Sequence, residues 1–376
     1  MAKSRGFPLD LINETLLRLP SSSLARFRCV SRRWSSLISN PLFLRKHHDR
    51  SRDKPLLLVA EIHGGNPYTL RLSTLSGEGD ILKYFSMTVP EYVKMEHSSG
   101  DVICLTNNSS VFLCNPATGE LVALPASRRN AYHRFGFGYV PSLGQFKVAR
   151  FDYGLSCDVF TVGTDRSWRA AGHPPCRVDG GRGMPFLNGA LHLLPARAGP
   201  ADQPVSVEFL LDDNGTAQYV DELVRAVLFV GDGIAAFDLE LEAWRTVPLP
   251  SFDCDEMIEL GRGWEMFLRE LKGLLCLGVS LPHKLDLRLL KDYESGRWVK
   301  EYSISFSLLP RACRWPQAAP VAIMDDGRIL MDCSELGLLF YDRREERFTE
   351  IEGSRECSAS LYVENILLSL RKPSTI

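Results

Sequence analysis

Leu9, Ile12, Leu16 and Leu19 recur every three or four residues near the start of the chain, with Leu11 and Leu17 widening the stripe. That period predicts a short amphipathic helix. Pro8 stands where a first-turn proline is tolerated, and Pro20 closes the run. Ser21, Ser22 and Ser23 offer an N-cap for a second run, on which Leu24, Phe27, Val30, Trp34, Leu37 and Ile38 continue at helical spacing. Pro41 stops that run, and Leu42, Phe43 and Leu44 open a last short turn. Residues 49–55, DRSRDKP, read as a polar linker.

From Leu56 the period changes. Runs such as LLLVAEI, YTLRLSTL, DVICLT, SVFLC, FKVARF, CDVFTV, IAAFDL, LLCLGVS and RILMDC are short, apolar or alternating, and separated by Gly, Pro, Asn and Asp. This is the pattern of many short β-strands. One stretch, Cys254 to Lys272, reads as either a helical turn or a strand.

A weak repeat runs through the strands. Asn115, Asp238, Asp292 and Asp342 each end an apolar run, and Leu121, Trp244, Trp298 and Phe348 follow six residues later. Pro125 and Pro248 come ten residues after their anchors. An Asx side chain bonds the turn backbone and reverses the strand, and the large residue then returns to the core. VFTVGTDRSW at 159–168 has the tryptophan without the anchor in register. One hairpin and one aromatic per unit suits propeller blades. At about 40–50 residues per blade the length allows six or seven, and closure is expected to pair a strand within 56–75 with one within 360–370.

Composition bounds the class. The 376 residues are 45% hydrophobic, enough for a large core beside a small segment. There is no run of eighteen apolar residues and no apolar leader, so neither a membrane span nor secretion is expected. Ten cysteines are scattered without a C-x-x-C pair, which suits buried thiols in the cytoplasm or nucleus. Residues 1–54 hold twelve basic and four acidic side chains, a net of +8, while the remainder holds thirty-two against forty-two, a net of −10. A basic segment implies an acidic protein partner or nucleic acid.

No nucleophile–base, Walker-type or H-E-x-x-H motif is present, so no catalytic residue is expected. His47 and His48 are adjacent and read as solvated surface, and His173 with Cys176 gives two ligands where zinc needs four. Neither a metal nor another cofactor is expected. The apolar residues of the helical segment cover more than one side of each helix. The segment therefore either packs on the larger domain or presents a spare apolar face to another protein.

The stretch from Phe7 to His48 closely resembles an F-box. Pro8, Asp10, Leu11, Leu16, Leu17, Arg18, Leu19 and Pro20 fit its pattern, followed by Ser23, Leu24, Arg26, Phe27, Arg28, Cys29, Val30, Trp34, Leu37, Ile38, Pro41 and Phe43. Phe7 stands where leucine is usual. Asn115-Pro116-Ala117-Thr118-Gly119, Gly136-Phe137-Gly138-Tyr139, Asn188-Gly189, Phe237-Asp238 and Trp298 resemble the kelch-like F-box-associated domain found beside F-boxes in many plant proteins. PARAGPADQPVS at 195–206 interrupts that pattern as an extended loop.

The resemblance implies an all-α F-box at 1–50 and an all-β propeller at 51–376. It implies an SCF-type ubiquitin ligase receptor that is not itself an enzyme. The F-box would bind the acidic Skp adaptor, and through it cullin and a RING protein, while the propeller holds a target protein. Candidate adaptor-binding residues are Pro8, Leu9, Leu16, Leu17, Leu19, Pro20, Leu24, Cys29, Val30, Trp34, Leu37 and Ile38. Trp264, Arg314 and Trp315 are candidates for the target face, with Trp168 behind them. The alternative is an adaptor-independent scaffold or a nucleic-acid binder standing on the basic helices.

Overall fold

The computed structural model describes residues 9–52, 56–65, 67–75, 81–99, 102–107, 110–126, 133–152, 156–179, 183–196, 233–252, 265–310, 318–333, 336–354 and 357–363. Four helices come first: α1 (Leu9–Leu16), α2 (Ser21–Phe27), α3 (Arg32–Ile38) and α4 (Pro41–Arg52). The expected second run is thus two helices, broken by a turn at 28–30. Ser31 takes an extended conformation there, and its Oγ accepts from the Trp34 backbone N–H at 3.2 Å, capping α3. The three serines at 21–23 are not the cap of α2; they are its first turn, and Pro20 holds the cap position without a side-chain bond. The last short turn is in fact the longest helix, α4. It takes in part of the expected linker, and the Asn40 Oδ1 starts it by accepting from Leu42 N at 2.8 Å.

The strands follow in chain order. They are β1 (Leu56–His63), β2 (Tyr68–Leu75) and β3 (Ile81–Val89); β4 (Lys94–Ser99), β5 (Val102–Thr106), β6 (Val111–Asn115) and β7 (Glu120–Ala123). Next are β8 (His133–Val140), β9 (Gln145–Asp152), β10 (Ser156–Thr161) and β11 (Arg169–Ala170), then β12 (Val178–Asp179), β13 (Phe186–Leu187), β14 (Ala190–Pro195), β15 (Gly233–Asp238) and β16 (Ala243–Pro248). The last are β17 (Glu265–Leu271), β18 (Leu274–Ser280), β19 (Lys284–Asp292) and β20 (Arg297–Ser305); β21 (Ala318–Ile323), β22 (Ile329–Cys333), β23 (Gly337–Asp342) and β24 (Arg347–Glu350); and β25 (Ser358–Tyr362).

These strands form six antiparallel sheets, the blades of a six-bladed β-propeller. The first blade is β25-β1-β2-β3. The late strand joins the early one, Leu57 opposite Leu361 and Ala60 opposite Ser358, as closure required; it begins at Ser358, two residues before the expected 360–370, and positions 364–370 lie outside the described residues. Cys254 to Lys272 resolves in favour of strand where it is described, as β17.

The chain divides into two compact units, Met1–Leu124 with Ser358–Ile376, and Pro125–Cys357. The first holds the helices and two blades, whose facing sheets bury Leu58, Leu70, Leu72, Ile103, Leu105 and Tyr362. The second holds four blades with a core between each neighbouring pair, for instance Phe151, Leu193 and Phe237, then Leu268, Leu277 and Ile234.

The repeat is realised bond by bond. Asn115 Oδ1 accepts from Ala117 N and Thr118 N, and Asp238 Oδ1 from Glu240 N and Leu241 N. Asp292 and Asp342 do the same to the residues two and three further on. Four residues after each anchor the backbone turns left-handed, at Gly119, Glu242, Gly296 and Glu346. The aromatic six residues on packs across the hairpin, with ring centroids 4.8 Å apart for Phe237–Trp244 and 5.0 Å for Tyr341–Phe348.

In the second unit the connections at 196–232, 249–264 and 306–317 leave their strands at the end opposite these hairpins. Trp264, Arg314 and Trp315 fall within those connections and lie outside the described residues. So does most of the interruption expected at 195–206.

Candidate functional site

The helical segment is built around its own core. Leu16, Leu17, Leu24, Ile38, Phe43 and Leu44 are buried together, with Ile12, Leu19, Phe27, Trp34 and Leu37 packed at their margin. Phe27 and Trp34 meet edge to face at 5.4 Å, tying α2 to α3 across the break. His47, expected at the surface, is buried in α4. Its ring stacks on Phe43 at 6.3 Å, and its Nε2–H donates to the Leu19 carbonyl at 2.9 Å. That bond satisfies a carbonyl just past the end of α1, so a polar ring serves the interior.

The candidate adaptor residues separate into two sets. Leu16, Leu17, Leu24 and Ile38 face the helices' own core, while Leu19, Trp34 and Leu37 are half-buried. Pro20, Cys29 and Val30 are exposed. Pro8 and the side chain of Leu9 lie outside the described residues. Exposed apolar surface is carried by Leu11 (57%), Val30 (61%) and Leu42 (70%). Leu11 fits the F-box pattern, Leu42 opens α4, and neither is among the candidate docking residues of the sequence. Burial on the opposite helix face decides which leucines remain outside, and a single-helix period does not report that.

A shallow groove of about 480 Å³ runs along α3 and the turn before it, lined by Arg28, Cys29, Ser31, Arg32, Ser35, Ser36 and Ser39. Burial lowers the Arg28 pKa from its ordinary value, and its Nε has no hydrogen-bond partner among the described residues.

Several polar groups of the second unit bridge neighbouring blades. Trp168, offered as a target-face residue, packs against Phe135 and Phe160 under the Arg150 guanidinium, and its indole N–H donates to the Pro125 carbonyl at 2.8 Å. Glu242 bonds buried Lys147 at 2.7 Å and Arg169 at 2.8 and 3.0 Å, and Arg169 also reaches Asp165 at 3.1 Å. The Arg169 bonds do most to hold the Glu242 carboxyl down at about 2, with Lys147 adding to them. His173 is exposed, and no group of three His, Cys, Asp or Glu is placed to hold a metal among the described residues. No described helix is long and apolar enough to cross a membrane.

Residues 6–46 match the F-box domain family, and residues 58–203 match the family described as F-box associated beta propeller domain. Over those residues the chain is similar to an F-box and to an F-box-associated propeller domain. The F-box coincides with the four-helix segment, and the second match begins in β1 and runs into the fourth blade.

F-box protein At3g07870 of Arabidopsis thaliana is 26% identical over 406 residues, covering 92% of this chain and 87% of that protein. Putative F-box protein At1g47790 of the same plant is 31% identical over 177 residues, covering 44% of this chain and 46% of its own length. Among solved structures, the periplasmic gluconolactonase PpgL of Pseudomonas aeruginosa superposes with a TM-score of 0.44 at 13% identity, over 82% of this chain and 86% of that one.

Proposed function

We propose that this chain is the target-receiving, non-catalytic subunit of an SCF-type ubiquitin ligase. The F-box helices dock the Skp-type adaptor and through it the cullin and RING protein, and the propeller holds the protein to be ubiquitinated. The observation that carries the reading is an F-box with a closed interior of its own that still presents Leu11, Val30 and Leu42 to solvent. Fully burying one such side chain contributes about 1.5–3 kcal/mol, so three of them suffice for stable docking. The net +8 of residues 1–54 suits an acidic adaptor.

The chain's contribution is positional. Two partners held on one chain raise the effective concentration of a target lysine near a charged conjugating enzyme. The end of the propeller that bears the long connections, and with them Trp264, Arg314 and Trp315, is the target face in this reading. Single buried thiols at Cys104, Cys114, Cys157, Cys276 and Cys333 suit the cytoplasm or nucleus.

The test is co-purification with a purified Skp-type adaptor. Val30→Asp and Leu11→Asp should each lose the adaptor while the chain unfolds at the wild-type temperature. Leu16→Ala is the contrasting control, because it opens a cavity in the helical core and acts through folding. Wild-type recovery of adaptor by both aspartate variants would remove Leu11 and Val30 from the interface. A steep loss of binding between low and moderate salt would point to the basic charges alone.

A further inference from the structure

Arg26, Arg28 and Ser31 stand in the order R-F-R-C-V-S, two arginines five and three positions before a serine. Arginine-directed serine/threonine kinases read that spacing, because their acidic subsites take a guanidinium at each of those two positions. The segment is presented rather than hidden. Arg26, Cys29, Val30 and Ser31 are exposed, and Ser31 has extended backbone, φ −161° and ψ 156°, in the break between α2 and α3. The preceding turn is closed by three backbone bonds of 3.1 Å, Arg28 N to Leu24 O, Cys29 N to Arg26 O and Val30 N to Phe27 O. These must open, and the Phe27–Trp34 contact must part, for a kinase to draw Arg26 and Arg28 into an extended substrate.

We propose that Ser31 is a phosphorylation site and that its modification switches off adaptor docking; the second half rests on the docking reading above. In the reaction, Ser31 Oγ attacks the γ-phosphorus of ATP. The new O–P bond replaces the bond from that phosphorus to the β,γ-bridging oxygen, ADP leaves, and the hydroxyl proton passes to the kinase's carboxylate base.

The product has a place to sit. Arg28 and Arg32 line the same groove as Ser31, and the half-buried Arg28 Nε has no partner among the described residues. A phosphate offers strong acceptors to such groups. It also brings a charge of about −1.5 to −2 into a groove that is basic when unmodified, next to exposed Val30. Set against Arg28 and Arg32, that charge brings the groove close to neutral, and the attraction for an acidic partner is lost.

The experiment uses the full chain, Mg-ATP and an arginine-directed kinase chosen for its activity on a synthetic peptide spanning residues 24–36. Tandem mass spectrometry locates the phosphate, and titration with the purified Skp-type adaptor reads affinity before and after treatment. Expected are phosphate on Ser31, uptake at least fivefold lower in Arg26→Ala, and adaptor affinity at least tenfold weaker after treatment. Ser31→Asn keeps a capping side chain but takes no phosphate there, and kinase treatment should leave its adaptor affinity where it was. A full chain that stays unmodified at Ser31 while the peptide is phosphorylated overturns the site. Phosphate on Ser31 with unchanged affinity overturns the switch. If the untreated chain does not bind the adaptor at all, the docking reading falls with the switch, while the modification is still decided by the mass spectrum.

Discussion

The indole N–H of Trp298 donates to the backbone carbonyl of Pro248 across 2.9 Å, joining β20 of one blade to the end of β16 in the blade before it. Trp168 makes the same bond to Pro125 at 2.8 Å. The two prolines are the residues ten positions after Asn115 and Asp238. One blade's hairpin anchor thus fixes where the chain exits, and the next blade's tryptophan fastens that exit. Trp244 occupies the equivalent position in the blade between, yet its buried Nε1 has no hydrogen-bond partner among the described residues.

Trp298→Phe should therefore cost more than Trp244→Phe. Both lose ring area, but the first also loses a hydrogen bond worth about 1 kcal/mol net, whereas the second removes a buried unpaired N–H. Urea denaturation of the two variants should differ by about 1 kcal/mol in that order. Equal losses would mean that the seam bond contributes nothing.

Glu242 and Glu346 share a left-handed backbone, with φ of 53° and 48°. A non-glycine residue there is strained by roughly 1–2 kcal/mol. Glu346→Gly relieves that strain at an exposed position and should stabilise the chain by about 0.5–1 kcal/mol, the gain being reduced by glycine's freedom in the unfolded state. Glu242→Gly should destabilise by roughly 1–3 kcal/mol, since it leaves buried Lys147 and its neighbour Arg169 without their carboxylate. Stabilisation by both changes, read by thermal unfolding, would show that the ion network is dispensable.

The hairpins were legible because everything that makes them is local. An Asx anchor, a left-handed position four residues on and a large residue six residues on all fall within one turn of chain. The seam was not legible, because the Trp298 and Trp168 acceptors lie 50 and 43 residues upstream and a period says nothing about partners that far away. The helical segment failed in a similar way. Its apolar spacing runs unbroken through Arg28 to Val30, so the break before Ser31 shows only in the capping bond, and burial of His47 depends on a carbonyl 28 residues away. Which of the candidate docking residues face the segment's own core is unreadable for the same reason, since sequence cannot say which leucines a second helix covers.

Gly138 belongs to the Gly136-Phe137-Gly138-Tyr139 landmark, and the structure supplies its reason. A Cβ there would stand 2.5 Å from the Phe186 ring. Gly138→Ala should cost about 1–3 kcal/mol through overpacking of a well-filled seam. Gly138→Ala with Phe186→Leu should recover part of that loss, because the shorter side chain vacates the space. A double variant as unstable as the sum of the two singles would mean that ring and methyl do not compete.

His192 gives the chain a pH dependence that separates from that of its carboxylates. It is fully buried on β14, with its Nδ1–H directed at the Pro185 carbonyl at 3.3 Å and its Nε2 taking the Tyr293 hydroxyl at 2.6 Å. Burial pushes its pKa down to about 4 from an ordinary 6.5, and Arg245, stacked over Tyr293, adds to the shift. Above pH 6.5 neither state is protonated and the full stability is present. As pH falls from 6.5 towards 4 the unfolded chain takes up a proton that the folded chain refuses, so stability falls; below 4 this contribution stays level. At about 1.4 kcal/mol per unit the loss is on the order of 3 kcal/mol. The Glu242 contribution runs lower on the scale, complete above 4.5 and lost as pH falls through about 2. His192→Gln keeps one donor and one acceptor but cannot titrate. It should start less stable than wild type at pH 7 and lose less on acidification, so that the two urea midpoints converge between pH 6.5 and 4.5. A gap that stays constant over that window would mean that the ring is not held neutral by its burial.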